Sequence, residues 1–288
     1  MEKYYYVHTG HRIGLDRFRR AVAILNAVND DDITLLCSDF RIASIVKDFG
    51  IAKGVGIDVV RNIPYMTHHG DKLFFDSDEA NPIMLEDMRE YFSSFIRISD
   101  TKEIEPSPKE KLITTAFEDS SNICNAYVIN KKFFENFEKT VPITLFFGDD
   151  DYEKDLEKHL DFVENLECVL QLGFYYFLDY EAELQEKFEH SFEFEEYDEM
   201  IQKTDILITA SPQAVLESLA SGGRPIFFKR EDYTDDFDDL LKSLNVPIIK
   251  DYDKKMLMEV LSSINKRKYE KVADNSNKIV EFIKNSLN

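Results

Sequence analysis

Two short stretches hold the residue types from which a reactive or binding site can be assembled. The first is His8-Thr9-Gly10-His11-Arg12-Ile13-Gly14, with Asp16 and Arg17 directly after it. Two imidazoles supply groups that exchange protons near neutrality and Arg17 a permanent positive charge. Gly10 and Gly14 permit the tight turn a phosphate or acidic acceptor needs, although an ordinary turn with solvated arginines uses the same residues. The second stretch is Thr209-Ala210-Ser211-Pro212-Gln213-Ala214-Val215-Leu216-Glu217. Small and polar residues precede a helical run there, so the free N–H groups of the first turn face a potential anion. Ser211 also suits plain N-capping, and both uses are compatible because a cap yields to a bound anion.

Each stretch needs a strand in front of it and a helix behind. Tyr4 to Val7 is a short apolar strand, and Leu15 to Val28 has helical spacing with Arg17, Arg19 and Arg20 in its first turns. From Thr204 to Phe228 the chain reads as an apolar strand, a loop of small and polar residues at Thr209 to Gln213, an amphipathic helix, a turn at Gly222-Gly223 and a second apolar strand. Parallel α/β sheets bind ligands beyond the carboxyl ends of their strands, which is where both stretches fall. Further strands are expected at Ile33 to Cys37, Ile57 to Val60, Leu73 to Phe75, Phe95 to Ile98 and Ala126 to Ile129. A fresh α/β pattern begins at Ile143 to Phe147, Gly148 turns the chain, and Tyr152 to Leu166 reads as a helix. The predicted fold class is α/β: an N-terminal Rossmann-like domain over 1–138 and a C-terminal one over 139–288, facing each other across a cleft.

The chain has 288 residues, 43% hydrophobic and 13% aromatic, enough for substantial cores. Its 35 Lys+Arg against 56 Asp+Glu leave a formal charge of −21, which repels nucleic acid and anionic membrane surfaces. No apolar run approaches the roughly 18 residues of a membrane span. Cys37, Cys124 and Cys168 are odd in number and widely spaced, so they read as buried thiols in a reducing cytoplasm. Asp76-Ser77-Asp78 and Asp149-Asp150-Asp151 have the D-x-D form of cation-dependent sugar transferases, but a chain this acidic produces such triplets readily, and no metal site is assigned. Tyr175, Tyr176 and Phe177 are expected in a core or interface.

The run from Ile143-Thr144-Leu145-Phe146-Phe147-Gly148 through Thr204-Asp205-Ile206-Leu207-Ile208-Thr209-Ala210 to Glu217 and Pro225 resembles GT-B glycosyltransferases. It is most similar to the group of the peptidoglycan N-acetylglucosaminyltransferase and the UDP-sugar hydrolase of pseudaminic acid synthesis. The resemblance implies a GT-B-like architecture, a UDP-linked nucleotide sugar as ligand, no separate cofactor, and a reaction of bacterial surface glycan synthesis. It assigns nucleotide-sugar binding to Gly14, Gly148, Ala210, Ser211, Gln213 and Glu217, the last reaching the ribose hydroxyls. Ser211-Pro212 stand where the family has glycines, and proline removes one N–H donor. Asp16 falls at the second glycine of the family's N-terminal turn and Arg17 at its catalytic histidine. A guanidinium cannot act as that base, so His8 and His11 join Arg17 as the catalytic candidates. Two other expectations follow: a binding or scaffold protein that has lost catalysis, and a metal-dependent transferase with a single sheet, which the second α/β set opposes.

Overall fold

In both halves of the chain, short strands rich in Tyr, Phe, Ile and Leu are buried on both faces, as parallel sheets covered by helices require. The structure, a computed structural model, describes residues 1–79, 81–175, 180–231 and 234–287. Residues Met1–Gly10, Arg17–Lys131 and Asp274 onward form one compact unit, and His11–Asp16 with Lys132–Ala273 form the other.

The first unit holds β1 (Lys3–Val7), β2 (Ile33–Cys37), β3 (Gly54–Gly56), β4 (Lys72–Asp76), β5 (Ser94–Ile98), β6 (Lys111–Thr114) and β7 (Ile123–Asn125). Among the described residues they pair in parallel in the order β3-β2-β1-β4-β5-β6-β7. Tyr4, Tyr6, Leu73 and Phe75 cover one face, while Tyr5 stacks on Phe74 on the other. The helix Asp16–Val28 buries Phe18, Ala21, Val22 and Leu25, a stripe at helical spacing. The third strand is Gly54–Gly56 rather than Ile57 to Val60. Ile57 and Val60 reach the core from the segment after it, so their hydrophobicity marks burial without marking the strand. Likewise β7 is Ile123–Asn125, just ahead of the buried run at Ala126, Val128 and Ile129. The terminal helix Ser276–Leu287 packs here too, where the Ser94 hydroxyl donates to the Ser286 carbonyl at 2.9 Å.

The second unit holds β8 (Val141–Phe146), β9 (Val169–Gln171), β10 (Ser191–Phe192), β11 (Thr204–Thr209), β12 (Arg224–Lys229) and β13 (Ile248–Lys250). Again all described pairings are parallel, in the order β10-β9-β8-β11-β12-β13. Leu145, Phe147, Ile208 and Phe228 belong to its core. The helix Pro212–Ala220 starts cleanly because the Ser211 hydroxyl accepts the Ala214 N–H at 2.9 Å and Pro212 sits in the first turn. It stops at Gly222, in left-handed backbone at φ 78. The expected helix over Tyr152 to Leu166 is broken into Asp155–Lys158 and a tighter turn at Leu160–Val163. Asp151 is the physical reason for the late start: its carboxylate accepts the N–H groups of Asp155 at 2.6 Å and Leu156 at 3.1 Å.

Candidate functional site

In each sheet the strand order reverses beside the first strand, between β1 and β4 and between β8 and β11. A crevice opens at such a reversal, outside the carboxyl ends of the strands, and ligands bind there. The residues singled out in the sequence lie on these two rims, each built within one unit.

On the first rim, Val7 and Asp76 are register partners at the ends of β1 and β4. His8 follows Val7, and its Nδ1 lies 2.6 Å from the Asp78 carboxylate. The Arg17 guanidinium reaches Asp78 at 3.0 Å and Asp76 at 3.9 Å. Arg20, one helical turn later and therefore on the same face, donates to Asp76 at 2.5 and 3.2 Å and to Asp100 at 2.7 Å. Asp100 also accepts the Thr115 N–H and hydroxyl, both at 2.8 Å. Burial works against the Arg20 charge, but Asp76 and Asp100 outweigh it and keep the guanidinium protonated beyond its ordinary range. Burial pushes the Asp76 carboxyl upward, opposed by Arg20 and Arg17. The hydrogen bond from His8 holds Asp78 well below the usual carboxylate range, with Arg17 adding to it. The imidazole of His8 is thus oriented through Nδ1 by Asp78, and its Nε2 lies 4.0 Å from the Glu79 carboxylate.

The second rim is built from dipoles. Glu217 is 1% exposed, and its carboxylate accepts the Tyr197 hydroxyl at 2.7 Å and the Gln213 side-chain amide at 2.8 Å. The Asp16 carboxylate accepts the Ser211 hydroxyl at 2.6 Å and the Gln213 backbone N–H at 3.1 Å. Ala210 is buried, with its N–H on the Phe146 carbonyl at 3.3 Å. Gly148, at φ 123, gives its carbonyl to the Tyr175 hydroxyl at 2.9 Å. A Cβ on Gly173 would lie 2.2 Å from that carbonyl, so the two loops touch through their backbones. Gly14, at φ 82, turns the 11–16 segment near Asp150. His11 packs against Tyr152 with ring centres 5.2 Å apart, and the Arg12 guanidinium lies 4.0 Å from that ring's centre. The first rim therefore gathers His8 with Arg17, the second gathers Ser211, Gln213 and Glu217, and His11 is engaged with an aromatic ring.

The acidic triplets are taken up by protein partners. Asp149 accepts the Phe174 N–H at 3.1 Å, Asp150 pairs with Arg230 at 2.8 Å, and Asp151 accepts the Tyr180 hydroxyl at 3.0 Å besides its two backbone donors. Among the described residues no group of three His, Cys, Asp or Glu is placed to hold a metal ion. Tyr175 is buried; Tyr176 and Phe177 lie outside the described residues. Arg20 was noted in the sequence only for its place in the first helix, and Asp100 and Tyr197 escaped the sequence reading. The spacing of Arg17 and Arg20 along a helix that opens beside a strand-end Asp is a signal that could have found Arg20, whereas Asp100 reaches it from 80 residues away. Nothing local points to Tyr197.

No family model matches the chain, and no curated protein matches it. Solved structures do match along its length. A spinosyn rhamnosyltransferase complexed with spinosyn aglycone superposes with a TM-score of 0.60 at 8% identity, covering 99% of this chain and 96% of that one. The UDP-GlcNAc 2-epimerase of Neisseria meningitidis bound to UDP-GlcNAc gives 0.55 at 11%, over 99% and 100%. That of Methanocaldococcus jannaschii, in complex with UDP-GlcNAc and UDP, gives 0.61 at 9%, over 99% of both chains. Among the described residues no helix is long and apolar enough to cross a membrane. At identities this low the likeness speaks for architecture, and the architecture is plain: the chain has the GT-B fold of these glycosyltransferases and epimerases, built as two parallel-sheet α/β units.

Proposed function

We propose that this chain binds a nucleotide sugar, UDP-linked by preference, and processes it by glycosyl transfer or hydrolysis in the synthesis of a bacterial surface glycan. One observation carries the reading: the N-terminus of the Pro212–Ala220 helix, with Ser211 and Gln213, stands at the strand-order reversal of the second sheet. Solved structures of this fold include complexes with UDP-GlcNAc and with thymidine diphosphate. In this reading the helix N-terminus receives the diphosphate, Glu217 is poised for the ribose, and Gly14, Gly148 and Ala210 shape the loops. His8, oriented by Asp78, takes the proton, and Arg17 supplies positive charge. Calorimetric titration with UDP, UDP-GlcNAc and TDP tests the binding. Saturable binding of one of them is expected, and absence of binding to all three, with and without a divalent cation, overturns it.

A second reading is favoured by a specific observation. Asp16 already occupies donors of the helix N-terminus, and Glu217 is buried with an internal partner on each oxygen. A binding protein without catalysis is consistent with that. Turnover of a bound sugar nucleotide that His8→Asn abolishes while binding persists excludes it.

A further inference from the structure

We infer that Asp16 is an internal anion competing with a ligand's diphosphate for the N-terminus of the Pro212–Ala220 helix, so that ligand entry and Asp16 release form a single exchange. The inference rests on the nucleotide-sugar reading above.

The donors at that helix end can be followed one by one. Pro212 has no N–H. The Val215 N–H closes the first helical bond, to the Ser211 carbonyl at 3.1 Å. The Ala214 N–H goes to the Ser211 hydroxyl oxygen at 2.9 Å. The Gln213 N–H and the Ser211 hydroxyl hydrogen remain, and the Asp16 carboxylate takes both, one on each oxygen, at 3.1 and 2.6 Å. Ser211 thus completes its own capping bond, and Asp16 adds a charge that capping does not need. That carboxylate comes from 195 residues away in sequence, so it is a tertiary contact rather than a local cap. Ser211 and Gln213 are 2% and 4% exposed, so their donors have little water to fall back on when an oxygen leaves.

An incoming diphosphate presents the same kind of group, oxygens carrying negative charge, to the same donors. Two anions about 4 Å apart repel strongly at the dielectric of a partly buried site, so the two do not share this helix end. Ligand affinity is then the intrinsic affinity reduced by the fraction of molecules in which Asp16 has let go.

The test compares the wild-type chain with Asp16→Asn and Asp16→Ala, titrated with UDP and with inorganic pyrophosphate by calorimetry, after circular dichroism and a thermal melt have shown each protein folded. Asparagine keeps the shape and removes the charge, so it serves if the alanine variant does not fold. The expected result is about tenfold tighter binding of both probes by the variants. Wild-type binding that is unchanged or weakened in both variants overturns the role of Asp16 and leaves the nucleotide reading standing. Absence of binding by all folded proteins overturns the nucleotide reading and this inference with it.

Discussion

On the first rim three carboxylates, Asp76, Asp78 and Asp100, face two guanidiniums and an imidazole; on the second, Asp16 and Glu217 are held by hydroxyls, an amide and a backbone N–H. The first arrangement sets fixed charges of both signs against one another, and Asp76 and Arg20 are both buried. Buried charges that answer one another are expensive to separate, because the survivor is left without water and without a partner. Neutral donors around a carboxylate bind more weakly, and they would hold a ligand's oxygen equally well. On the function proposed above, the first rim would keep proton-transfer groups in fixed positions and the second would exchange one anion for another.

The comparison is broken most directly at Arg20. Arg20→Ala removes the cation between Asp76 and Asp100 and is expected to lower the unfolding free energy by about 3–5 kcal/mol. Urea unfolding followed by circular dichroism measures it. Arg20→Lys should recover only part of the loss, since one ammonium cannot reproduce the forked contact to two carboxylates. A loss no larger than that of a single neutral hydrogen bond would remove the distinction between the rims.

On the second rim the matching change is Tyr197→Phe, which deletes the hydroxyl donor to Glu217 and keeps the ring. A loss of about 1–3 kcal/mol is expected, because a buried carboxylate loses one of its hydrogen-bond donors. The same variant sharpens the role of Glu217. If the phenol holds the carboxylate ready for a ribose, UDP binding weakens along with stability; if the contact only staples two helices, stability alone falls.

The second rim was the more legible in sequence, and the reason is distance along the chain. Strand, cap, helix and glycine stop from Thr204 to Phe228 are local, and Ser211, Pro212 and Gly222 signal their places through backbone chemistry that operates within a few residues. The partners that decide what this rim can bind are remote: Tyr197 sits 20 residues before Glu217, and Asp16 comes from the opposite end of the sequence. The helix expected at Tyr152 to Leu166 failed for a related reason. Its apolar spacing was read correctly, but the competing bonds from Asp151 to the Asp155 and Leu156 N–H groups are invisible to periodicity. On the first rim His8 and Arg17 were visible as residue types, whereas their joint hold on Asp78 depends on β1 lying beside β4, some 70 residues later.

That joint hold has the smallest expected effect and the clearest pH signature. Asp78 is depressed first by the hydrogen bond from His8 and then by Arg17. A carboxyl whose pKa is lower in the folded chain adds stability above its unfolded value of about 3.9, and that stability is lost as the pH falls through the folded value. His8→Asn removes the leading cause, so wild type should exceed the variant in stability near pH 6, and the gap should begin to narrow as the pH falls below about 3.9, where the unfolded chain takes up a proton at Asp78 while the folded wild type still keeps it ionised. The Asp78 side chain is 63% exposed, which limits the gap to about 0.2–1 kcal/mol. Urea midpoints at the two pH values measure it. A gap that stays constant with pH would assign His8 a packing role and leave the imidazole without the carboxylate partner that its proposed role as base requires.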